Sequence, residues 1–259
     1  MNFAARFVSV TAAAWTGLAD ELDAWAAQGK VARLWWRDDD AVEPTLQLAS
    51  LLELADGTPL GLAVIPAGAR PDLANMLRGE PQVAVLQHGW RHTNHGGASK
   101  KSEFPASRPA RQVADELAAG RGRLAELFGE QFLPVLAPPW NRFAPEFYAL
   151  LRETGLVGLS GLAGEREPPP GGTAAVDVHL DLVDWQGERG FIGEDAAIGR
   201  LISELHARRL VGEPNSAIGI LTHHLVMDAP TAAFTAELLN LTRSHRAARW
   251  VGPAALLTE

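Results

Sequence analysis

Five short polar clusters stand in this chain, each directly behind an apolar run, and together they hold the residue types a hydrolytic metal centre needs. Asp38-Asp39-Asp40 follows Leu34-Trp35-Trp36, His88-Gly89-Trp90-Arg91-His92 follows the run 83–87, and Thr222-His223-His224 follows the run 217–221. Pro138-Pro139-Trp140-Asn141-Arg142 and Asp181-Leu182-Val183-Asp184-Trp185 occupy equivalent places behind two further runs. His88 and His92, four residues apart, can turn both imidazoles toward one point, and neutral imidazole is a common ligand of zinc and similar ions. Three adjacent carboxylates repel one another and lose hydration unless a cation or Arg37 compensates. One carboxylate with two imidazoles leaves coordination positions open for water and substrate, as a catalytic metal site requires. The chain has no cysteine, so a metal has to be held by His, Asp or Glu. Each cluster also has a plain structural reading: a solvated turn or helix cap leading into Pro44 for the aspartates, a surface or packing role for the His pair. Along a strand successive side chains alternate faces, so Asp39 is expected to point away from Asp38 and Asp40.

Such clusters meet only if the elements before them run parallel. Strands are expected at 31–36, 60–65, 83–87, 133–137, 156–160, 176–180 and 217–221, with an eighth at 249–251. Helical spacing appears between them: Leu46 to Leu52, Val113 to Phe128, Phe147 to Leu151, Ile198 to Leu205 and Phe234 to Leu241. This alternation predicts an α/β fold of right-handed βαβ units, a parallel (β/α) barrel with outer helices, distorted if it has seven strands. Strand ends then collect at one mouth, where active sites of such barrels are built. A helix over 13–28 precedes the first strand and flanks or plugs the barrel. Loops are expected at 96–109 and 165–172.

A length of 259 residues fits one domain spanning 1–259. A net charge of −8 argues against a nucleic-acid or anionic-membrane surface. The cations between Lys100 and Arg111 read as a solvated loop. No apolar run reaches the length of a membrane span, and the stretch from Met1 to Trp25 has no basic leader and is interrupted by Arg6, Thr11, Asp20 and Asp23. A cytoplasmic protein is expected.

From Leu34 to His224 the chain resembles the polysaccharide deacetylase superfamily (NodB homology, carbohydrate esterase family 4). Arg37-Asp38-Asp39-Asp40-Ala41 is similar to the family's Thr-Phe-Asp-Asp-Gly motif, which implies Asp39 as general base and Asp40 as metal ligand. His88-Gly89-Trp90-Arg91-His92 matches the spacing of His-Ser/Thr-x-x-His, with Gly in the second place, implying His88 and His92 as the other ligands. Ala137-Pro138-Pro139-Trp140 resembles Arg-x-Pro-Tyr/Trp without its arginine; Trp140 would line the groove and offer a backbone N–H to an oxyanion. Asp181 to Trp185 resembles Asp-x-x-Asp-Trp/Tyr, and Leu221-Thr222-His223 resembles Leu-x-His, implying His223 as catalytic acid. The missing arginine, whose role is to tune the base, leaves Arg37 or Arg142 as its replacement. Asp38 could exchange roles with Asp39, and His224 with His223, if the register shifts by one.

The resemblance implies hydrolysis of an acyl, expectedly acetyl, group from an N-acylated sugar or related amide, with a divalent metal, zinc being expected. The substrate is a small molecule or oligosaccharide. Trp90, Pro139, Asn141, Arg142, Asp184 and Trp185 join Arg37, Asp38, Asp181 and His224 as substrate contacts or supporting groups, and His95 and His179 are further candidates for fixing imidazoles or carboxylates. His206 and His245 are expected to be structural, and Asp228 a cap before Pro230. Two other readings stand beside this one: a metal-dependent C–N hydrolase of a small cytosolic amide, and a non-catalytic carbohydrate-binding barrel.

Overall fold

A computed structural model describes residues 3–97, 100–211 and 216–257, with side chains from residue 12 onward, so the sequence argument from Met1, Arg6 and Thr11 falls outside it. The strands in chain order are β1 (Ala32–Ala41), β2 (Leu60–Val64), β3 (Val83–His88), β4 (Phe132–Ala137), β5 (Gly158–Leu159), β6 (Ala174–Ala175), β7 (Leu180–Asp181), β8 (Ile218–Thr222) and β9 (Ala248–Trp250). The helices are α1 (Phe3–Ala27), α2 (Leu46–Ala55), α3 (Pro71–Leu77), α4 (Ala110–Phe128), α5 (Tyr148–Glu153), α6 (Glu194–Val211) and α7 (Ala229–Ser244). Every strand pairing is parallel and the order is β6-β5-β4-β3-β2-β1-β8-β7, with β9 alongside the start of β1.

The two ends of that order belong to one stretch of chain. Residues 174–182 pair first with β5 and the residues just after it, through Val176 N to Leu159 O and Val178 N to Gly161 O, both 2.9 Å, and then with β8, through His179 N to Gly219 O at 2.7 Å and Leu182 N to Leu221 O at 3.0 Å. The single strand expected at 176–180 is therefore split between two neighbours, and by changing partner it links the sheet's ends into the distorted (β/α) barrel expected from the sequence.

Inside the barrel, Trp35, Ala63, Leu86, Val135, Ala137, Val176, Val178 and Leu221 form one buried cluster, with a contribution from nearly every wall. Trp36, Leu62 and Val85 point outward onto α2, α3 and α4, while Leu34, Ile218 and Ile220 pack under α1, α6 and α7. Both faces of each strand are covered, which is why the strands read as continuous apolar runs. α1 flanks the barrel: Leu18, Leu22 and Trp25 pack in the cluster holding Ala197, Ile198 and Leu201 of α6. α3 has no counterpart in the sequence reading; Pro71 at its first turn starts it, and Leu73, Ala74 and Leu77 are buried. Among the described residues no helix is long and apolar enough to cross a membrane.

β1 is longer than its apolar run predicts, and the acidic triplet lies within the strand. Asp38 pairs in register with Leu62 of β2 and Thr222 of β8, and the β2 register slips between Asp38 and Ala41. Asp40 has φ 77°, in the left-handed region that is costly for a side-chain-bearing residue. The alternation expected along a strand therefore fails at Asp40.

Candidate metal centre and active site

Arg37 and Asp39 continue the inward row begun by Trp35, and their side chains meet at the C-terminal mouth of the barrel. Arg37 is fully buried and all five guanidinium N–H groups find acceptors. Nε and Nη2 donate to the two oxygens of Asp39, each at 2.9 Å; Nη2 also donates to Asn141 Oδ1 at 2.6 Å, and Nη1 to Ser160 O and Oγ at 2.9 and 2.7 Å. Burial alone would raise the Asp39 pKa, but Arg37 first, then His88 and His223, outweigh it and hold the carboxyl below its usual range. Of the two arginines expected beside the acidic triplet, Arg37 is the one paired with Asp39. Arg142 is not: its Nη1 donates to Lys101 O at 3.0 Å.

The left-handed turn at Asp40 carries its carboxylate toward the end of β3. Asp40 Oδ1 lies 3.1 Å from His88 Nε2 and 3.4 Å from His92 Nε2, and the three donor atoms lie within 4.8 Å of one another. His88 Nδ1 donates to Ala137 O at 2.9 Å, which leaves Nε2 of the neutral ring with its lone pair facing the carboxylate. Two acceptors face each other there, and Asp40 Oδ1 has no hydrogen-bond donor although it is buried. A cation satisfies that arrangement: a proton on His88, whose pKa the Asp39 and Asp40 charges raise against the opposing effect of burial, or a divalent metal. The second nitrogen of His88, tied to a backbone carbonyl, is what oriented metal ligands commonly show. His92 titrates low through burial and the neighbouring His88. It reaches the cluster with φ 57° and lies 4.3 Å, ring to ring, from Trp140.

His223 closes the other side. Its Nε2 is 3.9 Å from Asp39 Oδ2 and its Nδ1 4.0 Å from Asp181 Oδ1; Nδ1 is buried without a hydrogen-bond partner. Trp185 stands edge-on to the ring at 4.8 Å and donates from Nε1 to Asp181 Oδ2 at 2.8 Å, leaving the indole about half exposed. Burial raises the Asp181 pKa despite His223 and Trp185.

Asp38 points to the opposite face of β1, where His224 Nδ1 lies 2.5 Å from Oδ1 and the Thr222 hydroxyl donates to Oδ2 at 2.6 Å; Trp36 Nε1 in turn donates to Thr222 Oγ1 at 2.8 Å. Asp38 and His224 are buried behind the cluster.

Several expected residues lie elsewhere. Asp184 accepts from Gln186 N and Gly187 N, both at 3.0 Å, and organises its own exposed turn. His179 packs against Arg208 and Gly219 on the outer side, where burial and Arg208 lower its pKa to about 4. His95 is exposed. The Trp90 ring lies under the Arg91 guanidinium, and the Pro139 ring packs against Gly89. His206 and His245 each lie 3.4 Å from a carboxylate, of Glu21 and Asp23 respectively, and Asp228 caps α7 by accepting from Thr231 N. The loop after Lys100 is only partly solvated, because Ser102, Glu103 and Phe104 are buried. Glu103 and Ser160, both in contact with this site, had no recognisable sequence signal.

Of the six non-glycine residues with positive φ among those described, four (Asp40, His92, Trp140 and Asn141) surround this cluster. Strain concentrated this way marks functional sites.

No family sequence model and no curated protein matches the chain. Solved structures do. A Mycobacterium smegmatis protein assigned to the polysaccharide deacetylases is similar with a TM-score of 0.67 at 18% identity, over 89% of this chain and 90% of that one. A family 4 carbohydrate esterase from Streptomyces lividans, in complex with acetate, gives 0.57 at 15% identity over 88% and 96%. A family 4 acetyl xylan esterase from Clostridium thermocellum, in complex with a cobalt ion, gives 0.53 at 16% identity over 87% and 90%. The chain has the fold of the family 4 carbohydrate esterases.

Proposed function

We propose that this chain is a divergent polysaccharide deacetylase, a metal-dependent hydrolase that removes an acetyl group from an N-acetylated sugar. The observation that carries this reading is the Asp40–His88–His92 cluster, whose buried acceptors face one another, set between Asp39 on one side and His223 on the other. The solved structures of the same fold, one with acetate and one with cobalt, support the same chemistry.

Asp40, His88 and His92 would hold a divalent ion, with zinc expected; bound there, it supplies Lewis-acid polarisation of the acyl oxygen and acidifies water. Asp39, kept ionised by the Arg37 fork, accepts a proton from the attacking water. Because Arg37 is itself locked by Ser160 and Asn141, the carboxylate has one orientation available. The Trp140 backbone N–H offers a donor to the developing oxyanion, an interaction worth about 3–4 kcal/mol when preorganised. His223 gives a proton to the departing nitrogen, with the Asp181 carboxylate 4.0 Å from its Nδ1 and Trp185 packed edge-on against its ring. The products are acetate, which keeps the oxygen of the attacking water, and a free amine.

A cavity of about 720 Å³ opens beside Asn141 and is lined in part by Ser102, Arg142, Glu146 and Glu165. Its mixed polar lining suits sugar hydroxyl groups, and Asn141, which binds Arg37, is the residue it shares with the site. The test is acetate release from a panel of N-acetylated chito-oligosaccharides, peptidoglycan fragments, acetylated xylan and small N-acetyl amides. Turnover of the N-acetylated sugars is expected; turnover of small amides alone would reassign the substrate, and metal binding without any turnover would make this a binding protein.

A further inference from the structure

The histidine loop after β3 has no secondary structure to hold it, yet it must return His92 to a point beside His88. Its backbone N–H groups converge on one side chain from another segment. Glu103, 1% exposed, accepts from Trp90 N at 3.1 Å through Oε2, and from Arg91 N at 2.8 Å and Thr93 N at 3.4 Å through Oε1. From the other side Gln87 Nε2 donates to Gly89 O at 3.1 Å. Gly89 sits at φ 60°, and a methyl group there would overlap Glu103 Oε2 and come within 2.8 Å of the Pro139 ring. The missing side chain at 89 and the carboxylate at 103 therefore fill one space.

We propose that Glu103 is the positioning residue of the metal site: its carboxylate fixes the left-handed turn that brings His92 onto Asp40, and Gly89 is glycine to admit it. This rests on the reading of Asp40, His88 and His92 as metal ligands. His88 is held independently, by β3 and by the Ala137 carbonyl, so Glu103 acts through His92. Its own tether is separate from the metal cluster. Asn94 Oδ1 accepts from Ser102 N at 3.0 Å, the Ser102 hydroxyl accepts from Phe104 N at 3.2 Å, and Arg108 binds both Glu103 O and Glu116 of α4.

The test compares the wild-type chain with Glu103→Ala and Glu103→Gln. Zinc affinity is measured by titration of chelator-stripped protein at a temperature where circular dichroism shows all three folded, and amide exchange is followed over 88–95. Glu103→Ala should weaken zinc binding about 10–100-fold, as loss of a ligand-orienting group typically does, and should speed exchange at Trp90, Arg91 and Thr93. Glu103→Gln, which keeps the volume and one carbonyl acceptor, should lose less on both readouts and stands in if Glu103→Ala does not fold. Wild-type zinc affinity in the variants overturns the proposal, as does a fall in melting temperature with loop exchange unchanged. A wild-type chain that binds no zinc refutes the metal reading instead, and the exchange experiment alone then decides whether Glu103 holds the loop.

Discussion

Arg37 and Asp39, two residues apart on β1, face each other through a bidentate contact in which both N···O distances are 2.9 Å. A strand places residues i and i+2 on one face, so the carboxylate proposed as base and the guanidinium paired with it come from a single stretch of backbone. With Arg37 anchored on Ser160 and Asn141, the tuning is built into the barrel wall.

The first expectation follows from that pair. Arg37 depresses the Asp39 pKa against the opposing effect of burial, so the ionised form persists to low pH. Replacing Arg37 with Lys keeps one charge and loses the fork, and the Asp39 pKa should rise. Protonated Asp39 is inactive as a base, so the acidic limb of the kcat/KM profile should move to higher pH. An unmoved limb means Arg37 does not tune the base. Arg37→Ala leaves a buried carboxylate unpaired and should cost roughly 3–5 kcal/mol of stability, measurable by denaturant unfolding.

Asp39→Asn and His223→Ala should each lower turnover by about 10²-fold or more while zinc stoichiometry stays at the wild-type value. If Asp39→Asn loses the metal and Asp40→Asn keeps it, the roles of the two aspartates are reversed.

Asp38 and His224 face each other behind the site and should behave as a structural unit. Removing either partner leaves the other buried and unpaired, so Asp38→Asn and His224→Ala should each destabilise by about 1.5–3 kcal/mol. The double variant should cost less than the sum of the two, as in any coupled pair. Turnover should fall by less than in Asp39→Asn, on the order of 10-fold to 100-fold. Additive stability losses in a double-mutant cycle would contradict the coupling.

The barrel was legible because period and spacing report burial. The apolar runs that became β2, β3, β4 and β8 lie within a residue or two of their expected bounds, since parallel strands covered on both faces leave an unbroken apolar signature. The strand expected at 176–180 was not legible as two pieces, because exchange of one pairing partner for another leaves no mark on side-chain pattern. The Asp38–Asp40 triplet announced a site but hid its geometry. The left-handed φ at Asp40 breaks the alternation that sequence reasoning must assume, and it is what lets Asp39 and Asp40 share a centre. Asp184 carried a motif position but serves its own turn, and Glu103 carried no motif position yet binds the histidine loop. Both depend on loop paths, which local sequence specifies least.

Asp40, His88 and His92 are proposed to bind one divalent metal. The most direct measurement is zinc titration of chelator-stripped protein with elemental analysis of the dialysed product, for the wild type and for His88→Ala and His92→Ala. One equivalent in the wild type and a large loss of affinity in both folded variants is the predicted result; no stoichiometric metal in the wild type, or unchanged binding in both variants, would contradict it.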